Sequence, residues 1–234
     1  MKLIKYLPFL TLLIFSCREM EVPIVTCDAV DYTQLSQNES DFVEVVFGSE
    51  FGEEVDRVRK WNKDILIYLP NAPDQVLQEI LNEVIDEINF LSETISLRLV
   101  NSVERSNFIL FFGSGEDYVK QWEPSAANLI ASNRGLFSID YNSSSYEIVS
   151  GNAWIDVTLV ADYACLKHLL REEMTQSLGM INDIYSDQES IFYGNYRCFT
   201  DYTARDKVFI AEFMSEKIKP GQCISQVLER ITID

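Results

Sequence analysis

The stretch Arg171-Glu172-Glu173-Met174-Thr175-Gln176-Ser177-Leu178-Gly179-Met180-Ile181-Asn182-Asp183 decides the fold that we predict for this chain. A glycine after a polar and apolar run of this kind is typical of the end of a helix. Adjacent residues diverge by about 100° around a helix, so at least one of Glu172 and Glu173 faces the interior or a cleft. A buried glutamate needs polar partners. Three such side chains lie close by in the sequence: Gln176, Asn182 and Asp183.

The same stretch resembles the helix of metzincin zinc proteases, H-E-x-x-H-x-x-G-x-x-H, with each histidine replaced. Glu172, Gln176 and Asn182 stand at the three ligand positions, and Gly179 stands at the glycine. The resemblance implies that Glu173 is the catalytic base, because the glutamate at this position polarises the metal-bound water in such enzymes. Glu172 and Gln176 are four residues apart, so they lie one above the other on one helix face.

Two later segments extend the resemblance. Ser190-Ile191-Phe192-Tyr193 resembles the metzincin turn Ser-Ile-Met-x-Tyr, with phenylalanine in place of methionine, and Thr203 and Asp206 form a capping box that opens a last helix. With Lys219-Pro220-Gly221, these motifs also resemble an uncharacterised bacterial lipoprotein family with a domain of unknown function, over residues 57–223. The resemblance implies a metzincin or zincin-like α+β fold with an active-site-type helix and a C-terminal helix.

The metal chemistry of the predicted site stays open. The chain has one histidine, His168, so a site with two or three histidines for zinc cannot be built. Amide oxygens of glutamine and asparagine suit a hard divalent cation such as calcium or manganese better. His168 with Glu172 and Asp183 could form a nitrogen and oxygen site one turn earlier. The alternatives are a polar network without metal and a metal-free cleft that binds or catalyses.

The first residues predict an export signal. Residues 1–16 combine two early lysines with a short apolar run, which is below the roughly 20 residues that cross a bilayer. Cys17 follows a small residue at the end of this run, as in a bacterial lipobox, and the resemblance implies lipidation of Cys17. We therefore expect export and anchoring to a bacterial membrane, most simply the outer membrane. The alternative is an ordinary signal peptide with a chance cysteine.

The remaining chain predicts a polar tether over residues 17–56, with one strand at 42–47, and one domain over residues 57–234. Apolar residues at three- and four-residue steps predict a long amphipathic helix from residue 76. Strands are predicted at 65–69, 97–100, 107–112, 135–140, 146–149 and 153–160, which gives a mixed twisted sheet. Of three possible pairings of the four later cysteines, the first choice is Cys198 with Cys223.

The charge and the motifs together restrict the function. The formal net charge of −18 excludes nucleic acid as a partner, because no basic stripe can neutralise phosphates. The resemblance implies a lipid-anchored extracytoplasmic peptidase, or a pseudo-peptidase that has lost its metal ligands. The alternative is a non-enzymatic cell-envelope protein that binds a peptide or a glycan.

Overall fold

A mixed six-stranded sheet organises the chain in the computed structural model, which describes residues 27–48, 56–195, 197–198 and 201–233. The strands are β1 (Lys60–Trp61), β2 (Ile65–Tyr68), β3 (Leu97–Val100), β4 (Phe108–Phe112), β5 (Gly135–Tyr141) and β6 (Glu147–Ile155). β3, β2, β4 and β6 follow one another in parallel, and β1 pairs in parallel with the start of β6. β5 pairs antiparallel with β6 and lies at the edge. The expected α+β class with a mixed sheet is confirmed.

β6 is one strand where the sequence predicts two. The predicted break falls at Gly151, which instead pairs with Phe108 of β4 on one side and Ile139 of β5 on the other. Pairing on both sides holds the glycine extended despite its conformational freedom. The strand ends before Asp156, whose carboxylate accepts backbone hydrogen bonds from the next turn at 2.9 and 3.0 Å.

The described residues also form six α-helices: α1 (Gln37–Phe47), α2 (Gln75–Leu91), α3 (Gly115–Gln121), α4 (Tyr163–Gln176), α5 (Ala204–Phe213) and α6 (Ile224–Leu228). The long predicted helix is α2, and Asp74 caps it by accepting a hydrogen bond from the Leu77 backbone at 2.9 Å. The predicted turn at residues 113–115 is the start of α3, because Ser114 accepts a hydrogen bond from the Asp117 backbone at 3.2 Å.

The predicted polar tether is wrong over its later part, where α1 belongs to the core. Ser36 and Glu39 form a capping box at its start, and Phe42, Val45 and Val46 are fully buried. These three side chains share a helix face, because Val45 and Val46 follow Phe42 by three and four residues. The strand predicted at 42–47 is therefore a helix, and the fold begins before residue 57. Residues 1–16 and Cys17 lie outside the described residues.

The disulfide prediction is also wrong. Cys27 pairs with Cys223 and Cys165 pairs with Cys198, with Cα–Cα distances of 5.7 and 4.4 Å. Sequence spacing does not predict these pairings. Cys27 and Cys223 are 196 residues apart, and they meet because the fold brings the start of the described chain beside α6. In the part of the chain that the structure describes, no helix has the length and apolarity needed to span a membrane.

Candidate functional site

The end of α4 is fixed against β1 by close backbone packing. Gly179 has φ of 118°, a conformation that favours glycine. A Cβ atom there would lie 2.0 Å from the backbone carbonyl oxygen of Arg59, so the position excludes any side chain. The indole of Trp61 donates a hydrogen bond to the Ser177 carbonyl oxygen at 2.8 Å. The predicted helix end at Gly179 is therefore confirmed, and it fixes the position of the polar residues on α4.

A cleft of about 1130 Å³ lies between α4 and the edge strand β5. The α4 residues that line it recur along one helix face: Cys165, Leu169, Glu172, Glu173 and Gln176. All residues of β5 except Asp140 line the opposite wall. Neighbouring residues of a strand point to opposite faces. The lining by consecutive residues therefore shows that the cleft follows the edge of β5 and not one face of the sheet.

Glu173 lies in the wall of the cleft at the start of β5. Its side chain is buried, and a Cβ atom on Gly135 would lie 2.4 Å from its Oε1 atom. The nearby Tyr118 is fully buried, and burial raises the pKa of its hydroxyl, with the charges of Glu123 and Glu173 adding to the effect. The predicted catalytic residue is thus at the cleft, in contact with strand β5.

Gln176 and Asp183 form a polar pair in the same cleft. The Gln176 amide nitrogen donates a hydrogen bond to Asp183 Oδ1 at 3.0 Å. Burial raises the pKa of the Asp183 carboxyl to about 6, and the hydrogen bond from Gln176 opposes this shift only in part. Asp183 is therefore a carboxyl that changes charge near neutral pH, a property that is common at functional sites.

Two predicted ligands do not face the cleft. Asn182 is turned toward α1, where its amide nitrogen donates to Glu44 Oε1 at 2.7 Å. His168 is 3% exposed and does not line the cleft; its Nε2 atom lies 3.6 Å from Glu172 Oε2. Glu172 does line the cleft. The predicted set of five ligands is therefore divided between the cleft and the interior.

The donor set does not fit a metal ion. Among the described residues, no group of three or more His, Cys, Asp or Glu side chains could hold one. The amide nitrogen of Gln176 faces Asp183, and Asn182 is engaged with α1. A zinc ion needs histidine, thiolate or carboxylate ligands arranged around one point. The described side chains of the cleft are therefore not arranged as a metal site.

The turn at residues 190–193, beside the cleft, is bonded to the start of α5. Asp206 accepts hydrogen bonds from the Ser190 hydroxyl at 2.6 Å and from the Ile191 backbone at 3.1 Å. It also closes the capping box with Thr203, which confirms the predicted start of α5. These bonds join the turn at 190–193 to the last long helix, and Tyr193 and Gly194 complete one wall of the cleft.

Sequence reasoning missed Arg59 and Tyr141, which line the other end of the cleft. Arg59 is 5% exposed, and its guanidinium lies 6.0 Å from the centre of the Tyr141 ring. The available signal was a pair of basic residues, Arg59 and Lys60, set between Val58 and Trp61 in an acidic chain. Basic residues flanked by apolar ones indicate buried cations, but not their partners.

Comparison with known proteins gives a family and a distant structural likeness. A family described as "Protein of unknown function (DUF2927)" matches residues 36–232. A solved structure of myroilysin matches with a TM-score of 0.42 and 14% identity, covering 68% of this chain and 83% of that chain. A second myroilysin structure gives 0.39 and 14%, covering 65% and 84%. No curated protein matches. Similarity at these scores supports no conclusion about activity, so a functional proposal depends on the geometry of the cleft.

Proposed function

The chain belongs to the DUF2927 family of proteins of unknown function, and we propose that it is a lipid-anchored, extracytoplasmic pseudo-peptidase that binds extended peptides. Its domain is metzincin-like, and the binding site is the cleft between α4 and β5. Two features support the metzincin-like assignment. The active-site-type helix ends at Gly179, and Asp206 accepts hydrogen bonds from the turn at residues 190–193.

The observation that carries the proposal is the position of β5. It is an edge strand whose one strand partner, within the described residues, is β6, and its residues line the cleft almost without interruption. Alternate residues of such a strand direct backbone N–H and C=O groups away from the partner strand. An extended peptide can pair with these groups and place alternate side chains in the cleft.

Binding is favoured over hydrolysis by the chemistry of the α4 face. Glu173 stands at the sequence position of the metzincin base. Gln176 and Asn182 carry amides in place of histidines, and the described residues hold no cluster of ligands for a metal that would activate water. The cleft therefore retains the groups that contact a peptide and lacks those that an ordinary metzincin uses to cleave it.

Lipid anchoring of Cys17 is part of the proposal and rests on the sequence pattern of residues 1–17. The test is metabolic labelling of the full chain with a palmitate analogue, followed by separation of inner and outer membranes. We expect label in the outer membrane fraction for the natural chain and none for Cys17→Ser. Label that persists in Cys17→Ser contradicts the assignment.

Peptide binding is tested with the full chain in detergent and an immobilised library of random ten-residue peptides. The strongest binder is then resynthesised with single backbone N-methyl groups, each of which removes one hydrogen-bond donor. We expect weaker binding when alternate residues are methylated and little change at the residues between them. Equal effects at all positions, or no binding peptide at all, would refute pairing with β5.

The same samples separate a pseudo-peptidase from a peptidase. Mass spectrometry of the bound peptides should show no cleavage. Cleavage that the natural chain performs and Glu173→Gln abolishes would make the protein an enzyme with Glu173 as its base. Glu172→Gln is the matched control, because it changes a neighbouring carboxylate of the same cleft. Binding of oligosaccharides without peptides would support the glycan alternative.

A further inference from the structure

Arg59 is a buried cation without a carboxylate partner among the residues that the structure describes. Its Nη2 atom donates to the Gly48 carbonyl oxygen at 3.3 Å, and the Tyr141 ring lies beside it. Its Nε atom is buried and has no hydrogen-bond partner in the described part of the chain. A buried charge is costly unless it is paired, so this guanidinium has unused capacity to bind an anion.

Two other arginines of the described residues, the fully buried Arg171 and the partly buried Arg205, each have a carboxylate partner, although Nη1 of Arg171 and Nε of Arg205 also lack a hydrogen-bond partner. Arg171 is fully buried and binds Glu87 through two nitrogen atoms, at 2.5 and 3.0 Å. Arg205 contacts Asp41 and lies 3.7 Å from Asp187. The chain has 37 acidic residues against 19 basic ones, so acidic partners are abundant. The isolation of Arg59 in the wall of the cleft is therefore a local feature of the cleft.

We propose that Arg59 binds a carboxylate group of the peptide that occupies the cleft. This inference rests on the proposed function and deepens it, since it assigns the chemical class of the ligand. A guanidinium presents a planar fork of N–H donors that matches a carboxylate. Arg134 also lines the cleft, but its Nη1 atom donates to the Asn133 carbonyl oxygen at 2.8 Å and its Nε atom is not among the buried unpaired atoms.

The position of Arg59 defines where the carboxylate lies. Glu173 lies against Gly135 at one end of β5, and Arg59 lies beside Tyr141 at the other end. Six strand steps separate these ends, roughly 20 Å at about 3.3 Å per residue. Glu173 would repel an anion at its own end. Five acidic residues line the cleft, against two arginines among the described lining residues, so an anionic group of a ligand is favoured where a guanidinium faces it. A peptide of about seven residues with its carboxylate at the Tyr141 end places that carboxylate at Arg59.

The carboxylate can come from two parts of a peptide. A peptide that runs parallel to β5 brings its C-terminus to Tyr141 and Arg59. A peptide that runs antiparallel brings its N-terminal part there, so the carboxylate must belong to an aspartate or glutamate side chain. Both sources use the same contact, and the direction of the peptide decides between them.

The experiment measures affinity of the full chain for the selected library peptide in three forms: the free acid, the C-terminal amide, and a version with Asp and Glu changed to Asn and Gln. We expect one neutralised form to bind roughly 10- to 100-fold more weakly, as for a lost charge-assisted hydrogen bond. Arg59→Gln should bind the original peptide with the same loss and show no further loss with the neutralised form. Arg134→Gln is the matched control and should keep the preference.

Three results would overturn the inference. All peptide forms bind the natural chain equally, or Arg59→Gln retains the preference for the carboxylate, or Arg134→Gln loses it instead. Arg59→Lys keeps the charge without the fork and should lie between the natural chain and Arg59→Gln. Circular dichroism of each variant verifies that the fold is intact.

Failure of the proposed function is distinguishable from failure of this site. If no peptide binds, N-acetyl-dialanine and its amide are compared as probes in thermal unfolding. A rise in Tm with the acid alone, which Arg59→Gln abolishes, supports the carboxylate site. An equal response to the acid and the amide overturns it.

An internal partner is tested separately. Glu50, Glu53 and Glu54 lie outside the described residues, and their triple glutamine variant should leave Tm and the carboxylate preference unchanged. A large loss of Tm in this variant that Arg59→Gln suppresses would identify an internal salt bridge and overturn the inference.

Discussion

Asp183→Asn should stabilise the protein at neutral pH, because the natural carboxylate is held in a site that disfavours its charge. Burial raises its pKa from 3.8 to about 6. A raised pKa in an acid means that the folded chain holds its proton more tightly than the unfolded chain, so stability falls as pH rises through the window from about 4 to about 6. The asparagine keeps an oxygen that can accept the hydrogen bond from Gln176 and carries no charge.

The size of the effect follows from the two pKa values. Their difference corresponds to about 3 kcal/mol at pH 7.5 and to less than about 1 kcal/mol at pH 4. Urea unfolding of both proteins at these two pH values measures the free energy of unfolding, with exposed Asp28→Asn as the control. A gain of similar size at both pH values, or a loss at pH 7.5, would refute burial as the cause and indicate that the charged form is favoured.

Two further substitutions test the support of the cleft. Gly179→Ala should lower the free energy of unfolding by at least about 2 kcal/mol, because φ is 118° and the new Cβ would meet the Arg59 carbonyl oxygen at 2.0 Å; urea unfolding that matches the natural chain contradicts this. Glu87→Ala should cost about 3 kcal/mol, because it removes the Oε2 atom that accepts hydrogen bonds from both Nε and Nη2 of the fully buried Arg171 and leaves the longer contact with Glu83 Oε1 at 4.0 Å. A Tm within 1–2 °C of the natural value, about 0.5 kcal/mol, would show that the pair is not needed.

Local patterns explain why the fold of the site was predictable. The end of α4 needs only a glycine after an amphipathic run, and the start of α5 needs only Thr203 and Asp206 three residues apart. Both signals depend on neighbours within one helical turn. The strands β2 and β4 are likewise continuous runs of apolar residues. Such features are encoded where they occur in the chain.

Features that depend on distant segments were not predictable. Asn182 turns away from the cleft because α1 provides Glu44, and α1 lies where the sequence predicts a tether with a strand. Spacing on α4 predicts which residues share a helix face, but it cannot predict which neighbouring element that face meets. Arg59 lines the cleft, and its backbone packs against Gly179, which follows 120 residues later in the chain. Local sequence patterns do not predict this contact.

The cleft therefore contains two charged groups that cost stability where they stand. Asp183 carries its charge at neutral pH although burial raises its pKa to about 6, and Arg59 lacks a carboxylate partner within the described residues. Elsewhere in the described part of the chain, the buried Arg171 has its own carboxylate partner. Groups that destabilise the free protein are retained when a ligand compensates for them, since activity often needs a site that is not optimal for folding. Because both groups line the same cleft as the β5 edge, one bound peptide could contact the strand and both charges together.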